Sequence, residues 1–202
     1  MLAKSKLLLQ LVASNQNSLP GADDYSNGSL LKYTADQLNI IFHPIGIIIL
    51  KPIGQIPNFV IDEHRRQCIS DLLLDWLFDA TFKIGEQLAN HDNDSKLLAL
   101  CNFDAYSKGL NFVFGQVHRD GKVAAIYLPR LRQEFYGRER NEPLFLERVV
   151  KEMVHELGHA FGLDHCPNYR CVMHFSNSIS DTDAKAKDFC QDCKFVVNRL
   201  RA

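Results

Sequence analysis

His155-Glu156-Leu157-Gly158-His159-Ala160-Phe161-Gly162-Leu163-Asp164-His165 is the stretch on which the reading of this chain turns. It closes a run from Pro143 to Phe161 in which Leu146, Val149, Val150, Met153, Val154, Leu157 and Phe161 recur at helical spacing. Proline is tolerated at the start of such a helix, and Gly162 is a stop signal. Residues four apart on a helix project about 40° from one another, so His155 and His159 can reach one metal ion from one face. Glu156 projects about 100° from His155. That puts it beside the ion, where a carboxylate can take a proton from water. Gly162 can adopt the left-handed backbone that turns a chain sharply, and the turn lets His165 serve as a third ligand. Three neutral imidazoles with an open fourth position are the arrangement of a catalytic zinc site. The plainer alternative, surface histidines on an amphipathic helix, leaves this spacing unexplained.

Four of the six cysteines fall in the last part of the chain, as Cys166-x4-Cys171 and Cys190-x2-Cys193. Two close pairs separated by a longer loop match the spacing of a structural zinc site, in which four thiolates close the coordination shell. Two local disulfides, or a redox pair at Cys190 and Cys193, are the competing readings. Cys68 and Cys101 lie among apolar residues and read as buried, inert thiols.

The HExxHxxGxxH pattern with a later methionine, Met173, resembles the metzincin superfamily. The resemblance narrows at His165-Cys166-Pro167-Asn168-Tyr169-Arg170-Cys171-Val172-Met173 and at Phe189-Cys190-Gln191-Asp192-Cys193, which are similar to the archaemetzincins. It extends upstream through Phe112-Val113-Phe114-Gly115 and Leu128 to Arg132, and covers roughly Ile45 to the C-terminus. The resemblance implies a zinc metallopeptidase with two zinc ions. One is catalytic, on His155, His159 and His165, with Glu156 as general base. The other is structural, on Cys166, Cys171, Cys190 and Cys193. It implies that Met173 forms a turn beneath the catalytic ion. It also implies that a peptide or protein substrate lies along an edge strand above the active helix. By chain order, Val123 to Leu128 is the expected edge. His174, next to Met173, could approach the site, as could Tyr169.

With 202 residues, 46% of them hydrophobic and 23% charged, the chain can bury a core, and extensive disorder is disfavoured. A net charge of −1 argues against nucleic acid as a partner. No apolar run reaches the roughly 18 residues of a membrane span. Lys4 and Lys6 followed by Leu7 to Ala13 have the outline of a secretory signal. However, the apolar part is short, Gln10 interrupts it, and no small-x-small cleavage site precedes Asn15, so a first strand or an amphipathic start is expected. A cytoplasmic location and a monomeric state are the expectations, although no residue pattern fixes the oligomeric state. A zinc-stabilised module that grips peptides without cutting them is the alternative, and the intact Glu156 argues against it.

The expected fold is α/β (α+β), metzincin-like, as one domain over 1–202. A larger part (1–162) carries the active helix, and a small C-terminal part (163–202) carries the four-cysteine site. Turn signals at Pro20-Gly21 and Asn27-Gly28 make 14–39 a loop, with a short helix near Ala35 to Leu38. Ile45 to Leu50 reads as a buried strand, Leu97 to Cys101 as a second, and Asn111 to Val117 with Val123 to Leu128 as a hairpin. Asp62 to Ile84 and Pro143 to Phe161 are the two long helices packed on a small twisted mixed sheet. Asp181 to Arg201 is a final helix. Arg130, Arg132, Arg138 and Arg140, mixed with glutamates, read as a solvated rim. His43, His64, His91 and His118 lack a partner at ligand spacing.

Overall fold

The computed structural model describes residues 6–13, 28–83 and 94–200. Five strands form the main sheet: β1 (Lys6–Val12), β2 (Gly46–Ile49), β5 (Lys96–Cys101), β8 (Val123–Tyr127) and β7 (Gly115–Val117). Their spatial order is β2-β1-β5-β8-β7. All pairs are parallel except β7 with β8. The inner strands are covered on both faces, which is why they read as unbroken apolar runs. Their alternate residues feed two cores. Leu7, Leu9, Leu98, Leu100, Ala124 and Ile126 face one side, against α1 (Ser29–Phe42) and α3 (Glu142–Ala160). Leu8, Leu97, Ala99, Val123 and Tyr127 face the other, against α2 (Ser70–Phe78). The result is a mixed α/β fold of three layers.

Four local expectations are corrected. The first is the polar stretch read as a loop, which ends in the fourteen-residue helix α1, beginning just after Gly28 in left-handed conformation. Leu30, Leu31, Ala35, Leu38 and Phe42 form its buried face, and Thr34 joins them because its hydroxyl donates back to the Leu30 and Leu31 carbonyls. Second, β2 is an edge strand with Ile48 and Ile49 exposed, not a buried one. Third, the helix expected from Asp62 starts only at Ser70. Arg66 takes a positive φ of 55°, and Asp62 accepts the Arg65 N–H in a turn between β3 (Ile61–Asp62) and β4 (Gln67–Ile69). With β6 (Ala105–Tyr106) these strands make a second, three-stranded sheet. A five-residue π-helical turn, Asp79–Lys83, continues α2, and Ile84 lies outside the described residues. Fourth, the final helix is two: α4 (Ile179–Ala184), capped reciprocally by Ser178 and Asp181, and α5 (Gln191–Leu200).

The arginine-rich segment is less solvated than its composition suggests. Arg130 makes a bidentate pair with Asp104 (2.7 and 2.8 Å) and is sandwiched between Phe112 and Phe135, while Arg132 is buried over Phe145. His118 is a core residue, stacked on Phe78 and bonded to Asp75. Burial pushes the Cys68 thiol up to about 12 and that of Cys101 well above its ordinary value, as inert core cysteines require. Among the described residues no helix is long and apolar enough to cross a membrane.

Candidate active site

The nineteen-residue helix α3 is the element that positions the site. Asn141 caps it, its side chain accepting the Leu144 N–H. Arg148, 1% exposed, forks onto both Asp183 oxygens at 2.7 Å and donates to the Leu131 carbonyl. Lys151 reaches the Asp183 carbonyl, so α3 is fastened to α4 before it arrives at its histidines. At its far end Gly162 turns the chain with φ of 88°, and His165 returns towards the helix.

The three imidazoles converge. His159 Nε2 lies 3.1 Å from His155 Nε2 and 3.2 Å from His165 Nε2. Nitrogens about 2.0–2.1 Å from a tetrahedral zinc stand roughly 3.3 Å apart, so this spacing is that of ligands to one ion. His155 Nδ1 donates to the Val172 carbonyl (2.8 Å) and His159 Nδ1 to the Leu163 carbonyl (2.7 Å). Those bonds keep the proton on Nδ1 and leave Nε2 free to ligate. Burial, aided by the Lys185 ammonium, pushes His155 down to about 2, and burial lowers His159 and His165 as well. Metal ligation needs imidazoles in this neutral form.

Glu156 lies 5% exposed and lines the same cleft as the three imidazoles. Its side chain is pressed against Gly115 of β7: a Cβ there would stand 2.6 Å from Glu156 Cγ and Oε1. Burial, reinforced by Glu152 and opposed by Lys185, holds the Glu156 carboxyl well above the usual carboxylate range. Met173, fully buried, lies against Gly158, where a Cβ would collide with Met173 Sδ and approach the Phe189 ring at 3.2 Å. Gly158→Ala is therefore expected to cost about 1–3 kcal/mol through overpacking. Chemical denaturation would check this, and an unchanged midpoint would mean that Met173 is not held there.

The four remaining site cysteines are free thiols whose Sγ atoms lie within 4.8 Å of one another, with Cys166 and Cys190 at 3.8 Å. Thiolates about 2.3 Å from a tetrahedral zinc are about 3.8 Å apart. The Cys190 N–H also points at Cys171 Sγ (3.3 Å). The expected ligand sets are thus both assembled, although Cys190 precedes α5 and only Cys193 lies within it.

A cleft of about 680 Å³ runs past the histidines. One wall is β7 with Phe112, Phe114 and His118; the other is the segment Phe175 to Asn177. The edge strand is β7. The expected edge, Val123 to Leu128, corresponds to β8, which lies between β5 and β7. Counting strands along the chain could not reveal that the sheet reverses direction after β8. His174 uses Nδ1 on the Cys166 carbonyl (3.0 Å), and Tyr169 is 61% exposed. Neither lines the cleft. Sequence reasoning missed Glu152 and Lys185, a buried ion pair (3.1 Å) beneath the site. The only available signal was an acid one helical turn before Glu156.

Comparison with known proteins agrees with this geometry. The model of Peptidase family M54 matches residues 48–199. The archaemetzincin of Thermococcus kodakarensis is 38% identical over 173 residues, covering 73% of this chain and 93% of that protein. The crystal structure of the Methanopyrus kandleri archaemetzincin superposes with a TM-score of 0.73 at 31% identity, covering 96% of this chain and 95% of the other. A zinc-dependent peptidase from Methanocorpusculum labreanum gives 0.77 at 26% identity, covering 94% of this chain and all of that one. The chain belongs to peptidase family M54, the archaemetzincins, a family of zinc metallopeptidases.

Proposed function

We propose that this protein hydrolyses peptide bonds, with Glu156 as general base, a catalytic zinc on His155, His159 and His165, and a structural zinc on Cys166, Cys171, Cys190 and Cys193. The observation that carries the reading is the convergence of three Nε2 atoms beside a buried carboxylate, in a cleft bounded by an unpaired strand edge. Bound there, zinc supplies Lewis acidity, polarising a carbonyl oxygen and acidifying water.

The protein's own groups do the rest. β7 offers main-chain hydrogen bonds that would hold an extended peptide along the cleft. Glu156, whose burial makes it a stronger base than an exposed carboxylate, accepts the proton of the attacking water. It then passes that proton to the departing amine. The Val172 and Leu163 carbonyls keep two imidazoles in the ligating tautomer throughout. The four-thiol site has no open position and serves the fold.

Removal of metal tests both assignments. We expect two zinc ions per chain by elemental analysis. A chelator should abolish cleavage of a peptide library, and added zinc should restore it. Cleavage that persists in metal-free protein would overturn the proposal. Zinc retained with no cleavage of any peptide would favour a peptide-gripping module.

A further inference from the structure

Glu152 lies one turn before Glu156 on α3, lines the same cleft, and is 3% exposed. It accepts hydrogen bonds from Thr182 Oγ1 (3.0 Å) and Lys185 Nζ (3.1 Å), both on Oε1. Lys185 Nζ also donates to the His174 carbonyl (3.3 Å), which ties Glu152 to the opposite wall two residues before Ser176. Ser176 lines the cleft too, and its buried hydroxyl oxygen has no partner. A buried carboxylate and a buried hydroxyl with no partner therefore line the same cleft, and leaving such a hydroxyl unpaired is unfavourable.

The direction of the strand edge says which end this is. Gly115 sits beside Glu156, and Gly121 sits beside the Ala160 carbonyl. Going from Gly121 back to Gly115 thus follows α3 towards its N-terminus. A peptide pairing antiparallel to β7, the commoner arrangement, enters at the Gly121 end. Its residues after the cleaved bond then extend past Gly115 towards Glu152. Four helical residues separate Glu152 from Glu156, a rise of about 6 Å, which is the reach of a long side chain. Among the described residues that line the cleft, Glu152, Glu156 and Asp164 are accompanied by one lysine or arginine, Arg119, while Lys185, paired with Glu152, is buried.

Resting on the peptidase reading, we propose that Glu152 and Ser176 form a subsite for a lysine or arginine side chain on the residue just after the cleaved bond. The aromatic side chains of Phe112 and Phe114 along the cleft suit the methylene stem, and Glu152 Oε2 and Ser176 Oγ accept from its donor head.

Succinyl hydroxamates test this without turnover, because the hydroxamate chelates the catalytic zinc and fixes the register. Their first side chain is Lys, Arg, norleucine or Glu, and binding is measured by calorimetry on the zinc-loaded protein. We expect the Lys and Arg compounds to bind about tenfold or more tightly than norleucine, the scale of one hydrogen bond to a charged group. Glu152→Gln, which keeps an acceptor for Thr182 and Lys185, should erase most of that difference, and Ser176→Ala part of it. Equal affinities, or a preference that survives in a folded Glu152→Gln protein, would overturn the subsite and leave the peptidase reading intact. Binding by no member of the series would remove the metal centre, and the subsite with it.

Discussion

Glu156→Gln should lower peptide cleavage by about 10²–10⁴-fold, the usual contribution of a positioned general base, while the zinc content stays unchanged. The amide fills the same space against Gly115, so the close approach of β7 to α3 is preserved. It cannot accept a proton, so only the proton transfer is removed. The imidazole tautomers depend on the Val172 and Leu163 carbonyls, which this change does not touch. Zinc analysis and turnover on the same preparation separate the two roles. Loss of metal together with activity would mean that Glu156 acts through ligand geometry and is not the base. Full activity would remove it from the chemistry.

The Cys190→Ser, Cys193→Ser double variant should be the most damaging change to the fold, and its effect should extend to the histidines. Structural zinc sites contribute on the order of 10 kcal/mol to folding. The thiols are threaded through the other site: Cys166 follows His165, and its N–H donates to the Met173 carbonyl (2.9 Å). Val172, next to Cys171, orients His155. With two thiols gone, the loop bearing His165 is no longer pinned to α5. We expect a lower thermal midpoint and weaker zinc binding at the histidine site in whatever fraction folds. Competition with a chromophoric chelator would measure that affinity. Unchanged histidine-site affinity would show the two centres to be mechanically independent.

The grouping of the candidate ligands was more legible than the architecture around them. His155, His159 and His165 were readable because helical periodicity and one glycine turn fix their directions locally. The cysteine pairs were readable for the same reason of spacing. What escaped depended on distant partners. α1 was hidden by a polar composition, because Thr34 satisfies its own hydroxyl inside the helix. The segment after Asp62 has apolar residues at helical spacing, yet Arg66 in left-handed conformation folds it into a hairpin. The edge strand was misplaced because register and direction belong to pairing across the sheet. Glu152 and Lys185 lie 33 positions apart on α3 and beyond α4, and only the packed structure brings them to 3.1 Å.

The order of strands also sets a timetable for the nascent chain. β1 lies between β2 and β5, with Leu7 opposite both Ile47 and Lys96. The first pairing can form soon after α1 leaves the ribosome, but the second must wait until β5 follows. Such long-range closure is slow and leaves an open apolar edge in the interval. The histidines emerge later still, and Cys190 and Cys193 after them. A nascent chain stopped short of Cys190 holds the sheet, all three imidazoles and Glu156, yet only two of the four thiols. A metal held by all four thiols could therefore be enclosed only after the imidazoles have emerged, so the loop bearing His165 stays unpinned until Cys190 and Cys193 follow.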